Sequence, residues 1–150
     1  MGKRKQRDPP SFMTALHHKG FVPMFNDQLN SPAFISLSSV AKVMYLILRQ
    51  EYKGDYTGNN IICPYSTFVE KGISRNSISD NLRQLEALGF ITWENGGVYH
   101  QPNHYHFTDG WQKIHTMEEA KAIKDNLAEE KKQRKQTKKQ LTDDNTAQLS

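Results

Sequence analysis

Residues 66–90 read STFVEKGISRNSISDNLRQLEALGF, and the fold turns on that stretch. Ser66 is an N-cap candidate for a short helix over Thr67 to Lys71, and Gly72 is the residue type that ends one. Ser74 offers a second cap, and a second helix is predicted from Arg75 to about Leu88. Its apolar residues Ile78, Leu82 and Leu85 stand at i, i+4 and i+7, which is one helix face. Gly89 is a stop signal. The residues off the buried face are Arg75, Asn76, Ser77, Ser79, Asp80 and Arg83.

Upstream, Gly20 to Phe25 is short, apolar and carries Pro23, the pattern of an edge strand or extended arm. Asn26 to Pro32 is rich in turn residues. Ser36 to Ser39 supplies caps for a long helix whose predicted inner face is Val40, Val43, Met44, Ile47 and Leu48, ending near Tyr52. Gly58-Asn59-Asn60 is a turn signal, and Ile61 to Cys63 is a short strand stopped by Pro64. Downstream, Phe90 to Glu94 alternates as a strand, Asn95-Gly96-Gly97 is a turn, and His104 to Phe107 is the return strand. Thr116 and Glu119 form a capping box for a last helix with Ala120, Ile123 and Leu127 on its apolar face.

This order predicts an α+β fold: a three-helix helix-turn-helix core with a two-stranded β wing, plus a C-terminal helix and a basic tail. The expected divisions are a flexible basic arm over 1–19, the main domain over 20–115, the helix over 116–130 and a disordered tail over 131–150. In such a unit the second helix enters the major groove of duplex DNA with its N-terminal residues toward the base edges. Arg suits guanine and Asn suits adenine, each with a two-pronged contact, while Ser serves base or phosphate. The candidate DNA-binding residues are therefore Ser74, Arg75, Asn76, Ser77, Ser79 and Arg83 on the helix, Asn95 and His100 on the wing, and Lys131, Lys132, Arg134 and Lys135 on the tail. Asp80 opposes a simple phosphate clamp; it can accept from a cytosine amine or orient Arg83.

From Phe21 to Trp111, about 90 of the 150 residues, the chain resembles winged-helix proteins encoded on bacterial plasmids, phages and integrated mobile elements. The matching residues include Asn30-Ser31-Pro32-Ala33-Phe34, Pro64-Tyr65-Ser66, Gly72 to Ser77, Leu85 to Ile91, Asn103-His104-Tyr105 and Asp109-Gly110-Trp111. The resemblance implies a winged helix that binds DNA in transcription or replication, with binding positions at Arg75, Asn76, Ser79 and Arg83.

Charge qualifies that expectation. The net charge is +4 over 150 residues, but residues 1–10 carry +3, residues 131–139 carry +6, residues 140–150 carry −2 and the body over 11–130 carries −3. The basicity lies in the termini, where it can supply salt-dependent attraction to phosphates. The acidic body keeps a second reading in play, a winged helix that docks a replication or transfer protein.

Other classes are excluded more simply. No run approaches the roughly 18 apolar residues of a membrane span. The basic start at Met1 to Arg7 is followed by no apolar segment, so no secretory signal is read there. The single cysteine, Cys63, fits a reducing cytoplasm. His100, His104 and His106 do not follow the spacing of a zinc module. The chain has no phosphate-cradling glycine loop and no catalytic constellation. The sequence therefore predicts a cytoplasmic non-enzyme with no metal, no cofactor, no small-molecule substrate and no membrane partner. It leaves open whether the chain forms a homodimer.

Overall fold

The computed structural model describes residues 20–52, 59–97 and 101–149. The architecture is α+β, with six α-helices and one small antiparallel sheet of three strands among the described residues. The N-terminal arm over 1–19 and the candidate residue His100 lie outside the described residues.

Gly20 to Phe25 forms no strand; Phe21 and Phe25 are 67% and 63% exposed, and Met24 alone leans on the core. Pro23 has no N–H to give a ladder, and its carbonyl instead accepts from the Arg49 guanidinium at 3.0 Å. The segment Asn26 to Pro32, expected to be turns, holds α1 (Asn26–Leu29) and the first residue of α2 (Pro32–Ser36). Ser31 caps α2, accepting from the Phe34 amide at 3.2 Å, and Pro32 takes the first helical position, where its missing N–H costs nothing.

The long helix α3 (Ser39–Glu51) starts under Ser38, whose hydroxyl accepts from the Ala41 amide at 3.0 Å. Its buried face is Ala41, Met44, Tyr45, Ile47 and Leu48. Val43, predicted on that face, is 44% exposed, because the buried stripe runs one position later through Ala41 and Tyr45. Strand β1 (Ile61–Ile62) follows, then α4 (Tyr65–Glu70). Pro64, not Ser66, is the N-cap of α4, and its carbonyl accepts from the Thr67 amide. Gly72 ends the helix at φ +91°.

Helix α5 (Arg75–Ala87) seats Ile78, Leu82 and Leu85 at 0% exposure, as their spacing predicts. Fully burying one such side chain stabilises by roughly 1.5–3 kcal/mol, so this face fixes the helix on the core. Ser74 is its N-cap by position but makes no side-chain cap; its carbonyl receives the Ser77 hydroxyl instead. Gly89, at φ +83°, turns the chain into β2 (Ile91–Glu94). A Cβ at Gly89 would stand 2.3 Å from the Gly110 carbonyl carbon, so the close approach of these two backbones requires glycine there. That approach delivers Trp111 onto Phe90, the rings stacked with centroids 6.3 Å apart.

Strand β3 (His104–Phe107) lies in the middle of the sheet, paired with β2 on one side and β1 on the other. The expected wing has two strands, but the short β1 joins it as a third. Side-chain and loop bonds lengthen that pairing. The Asn59 amide donates to the Phe107 carbonyl at 2.7 Å and accepts from its N–H at 2.8 Å, and Cys63 N–H donates to the Asn103 carbonyl at 3.3 Å. A 3-10 turn over Gly110–Lys113 then leads to the last helix.

That helix, α6 (Met117–Gln148), is 32 residues long. It does not give way near residue 130, where a disordered tail is expected. Residues 111–150 contain no Gly or Pro, and 117–148 are rich in Ala, Lys, Glu and Gln, all strong helix formers. Thr116 caps it, accepting from the Glu119 amide at 3.2 Å. Its first half anchors on α2, where Lys124 Nζ donates to the Ser36 carbonyl at 2.7 Å and Ala120 is buried. No helix among the described residues is long and apolar enough to cross a membrane.

Candidate nucleic-acid interface

Helix α5 has two ends with different surroundings. At its N-terminus, Ser74, Arg75 and Asn76 are exposed. Arg75 lines a surface cleft of about 420 Å³ whose other walls are Tyr65 of α4 and the wing residues Asn95, Gly97, Gln101 and Asn103. The wing turn is held by its own amides. Asn95 Oδ1 accepts from the Gly97 N–H at 2.9 Å, and Asn103 Oδ1 accepts from the Gly96 N–H at 3.1 Å. The Gln101 N–H donates to the Gly96 carbonyl at 3.1 Å, so the two arms of the loop touch at Gly96, where a Cβ would meet Gln101 O at 2.2 Å. Asn103 is buried and also donates to the Tyr105 hydroxyl at 3.1 Å. Thus Arg75 and Asn95, 20 residues apart in sequence, share one cleft on a braced loop.

In the middle of α5 the partner is α6. Between them runs a groove of about 780 Å³ with Ser79 and Arg83 on one wall and Lys131, Arg134, Lys135 and Lys138 on the other. Asp80 and Glu130 are its two carboxylates. Asp80 Oδ2 is 2.5 Å from Lys131 Nζ, both side chains being about half exposed at 44% and 47%. Next to this groove a smaller pocket reaches Leu127 and Lys124, where the apolar stripe of α6 begins to bury.

The predicted residues therefore fall into groups. Arg75 and Asn95 meet at the wing cleft; Ser79, Arg83, Lys131, Arg134 and Lys135 meet at the groove. Lys132 lies on neither, pairing with Glu129 at 3.0 Å in solvent. The Ser77 hydroxyl is occupied by the Ser74 carbonyl at 2.8 Å. Sequence reasoning placed Lys138 only within the basic run 131–139, and it missed Gln101 and the structural roles of Asn81 and Gln84. The latter two bind the cap of α3: the Ser38 hydroxyl donates to Asn81 Oδ1 at 2.6 Å and the Ser38 N–H to Gln84 Oε1 at 2.6 Å. Their i, i+3 spacing on the flank of the apolar stripe was the available signal.

Three other titratable groups are shifted by burial. Burial pushes the Cys63 thiol up to about 12, with the Glu51 charge adding to it, so the sulfur stays protonated and unreactive. Burial also raises the Tyr45 and Tyr105 hydroxyls. His104 Nδ1 is 3.0 Å from Asn60 Oδ1. Among the described residues, no three His, Cys, Asp or Glu side chains gather in a metal-holding group. Comparison with family models, curated proteins and solved structures finds no match for this chain.

Proposed function

We propose that this chain is a winged helix that binds double-stranded DNA with sequence preference, serving in the cytoplasm as a transcriptional regulator or replication accessory factor of a mobile element. The observation that carries the reading is the convergence of Arg75, at the exposed start of α5, with Asn95 on a braced wing turn. The order of elements from α3 to β3 supports it too: helix, strand, helix, helix, strand, strand, with β1 at the edge beside β3. In this reading Arg75 and Asn76 face base edges, since the first residues of such a helix reach deepest into the major groove. The wing turn lies along the adjacent backbone. Arg83 stands eight residues on, about 12 Å further along the axis at 1.5 Å per residue, and serves phosphate rather than base.

Selection of bound fragments from a random duplex pool by the purified protein is the test. Enrichment of a defined sequence is expected. Arg75→Ala should cost about 1–3 kcal/mol on that sequence and relax the preference at one position. Recovery of no duplex, or an unchanged preference in Arg75→Ala, contradicts the reading.

A further inference from the structure

The α5–α6 pair sets a size constraint. Packed helices lie 8–10 Å apart and each is about 10–12 Å across, so the pair spans roughly 20 Å. The major groove of B-DNA is about 12 Å wide. The middle of α5, with α6 beside it, cannot reach the groove floor, and only the N-terminal end of α5 can. The surface that then faces the rim of the groove, where the phosphates lie, is the channel between the two helices. It presents five cations, Arg83, Lys131, Arg134, Lys135 and Lys138, against Asp80 and Glu130. Four of the five come from the +6 run over residues 131–139 and Arg83 from the body that carries −3, so the basic run, expected as an isolated tail, forms a patch together with α5.

Asp80 is the only acidic residue of α5 before Glu86. A bare carboxylate on this wall would repel phosphate, and Lys131 is placed against it.

We infer that the channel between α5 and α6 holds one phosphate strand of duplex DNA, and that the Asp80–Lys131 ion pair keeps Lys131 off the phosphates while masking the carboxylate. This rests on the duplex-binding reading above. It makes α6 a second DNA-contacting helix, fixed in register with α5, and it makes Asp80 a brake on affinity.

The experiment is a salt titration of binding to a fluorescently labelled duplex of mixed sequence. Both side chains are about half exposed, so substitutions there leave the core intact. Asp80→Asn frees Lys131 for a phosphate. Binding should tighten roughly three- to tenfold near 0.1 M salt, and the salt slope should steepen by about 0.9, the increment for one added contact. Lys131→Ala should weaken binding, and the Asp80→Asn/Lys131→Ala double variant should return close to the parent. Lys121→Ala, on the exposed first half of α6, should change neither quantity. Weaker or unchanged binding by Asp80→Asn, or a double variant that binds as tightly as Asp80→Asn alone, overturns the assignment. Equally tight retention of poly-glutamate at the same salt also overturns it, giving the channel to an acidic protein. A parent chain that binds no duplex at any salt removes the proposed function and this inference together. Duplex binding indifferent to Asp80 removes this inference alone.

Discussion

The two ends of α5 differ in how they are built. The wing cleft around Arg75 is made of uncharged turn chemistry: Asn95 and Asn103 amides, two glycines and a strand pairing close a loop whose own bonds hold it. The groove around Arg83 is made of long flexible cations on two helices, joined by one half-exposed ion pair. The first arrangement is held by amide and backbone hydrogen bonds and carries little charge. The second carries charge and tolerates displacement. Base reading needs geometry, and phosphate attraction needs charge, so in the proposed reading the two tasks divide along one short helix.

Both ends depend on the frame at Gly89, and that is where the largest effect is expected. Gly89→Ala forces a Cβ within 2.3 Å of the Gly110 backbone at a positive φ. It should cost about 3–4 kcal/mol, from the left-handed strain and from overpacking. The loss should be visible as a lowered melting temperature, with wing and groove failing together.

Next in size is an alkaline effect on the core. The Cys63 thiol ionises near 9 when unfolded and near 12 when folded. Above pH 9 the unfolded chain therefore holds fewer protons, and stability falls as pH rises toward 12. The thiol's share should reach about 2 kcal/mol by pH ~10.5. The raised Tyr45 and Tyr105 hydroxyls act in the same direction. Denaturant midpoints against pH should show the decline. Cys63→Ala, though weaker at neutral pH through lost packing, should show a flatter one.

The smallest effect belongs to the far end of α6. Asp143 and Asp144 lie near the helix C-terminus, where the dipole disfavours negative charge, and residues 139–149 are exposed. Truncation after Lys139 should change domain stability by less than about 0.5 kcal/mol. Circular dichroism should lose about ten residues of helix, the groove cations through Lys138 remaining in place.

These contrasts also show where sequence was sufficient. The helix pair, its glycine stop at Gly89, the buried Ile78, Leu82 and Leu85, and strands β2 and β3 follow from periodicity and glycine stops, which are local signals. The missed features are long-range or turn on competing local signals. Nothing near Ile61 says that it pairs with Tyr105, and nothing near Lys131 says that it meets Asp80, 51 residues away. The extent of α6 is legible in its composition, although little apolar surface in its second half is available to bury. A solvated helix needs only propensity and no breaker, and 111–150 has no breaker. At the candidate site, Arg75 and Asn95 were identified singly, while their shared cleft required the fold.

The division of labour along α5 is tested most directly by comparing two variants in one salt titration, each on a selected and on a mixed-sequence duplex. Arg75→Ala should lower affinity for the selected duplex by about 1–3 kcal/mol and leave binding to mixed sequence nearly unchanged. The triple variant Arg134→Ala/Lys135→Ala/Lys138→Ala should weaken both duplexes alike, on the order of 100-fold near 0.1 M salt, and reduce the slope by about 2.7. If instead the triple variant loses sequence preference, or Arg75→Ala weakens both duplexes equally, the two ends of α5 do not divide the work.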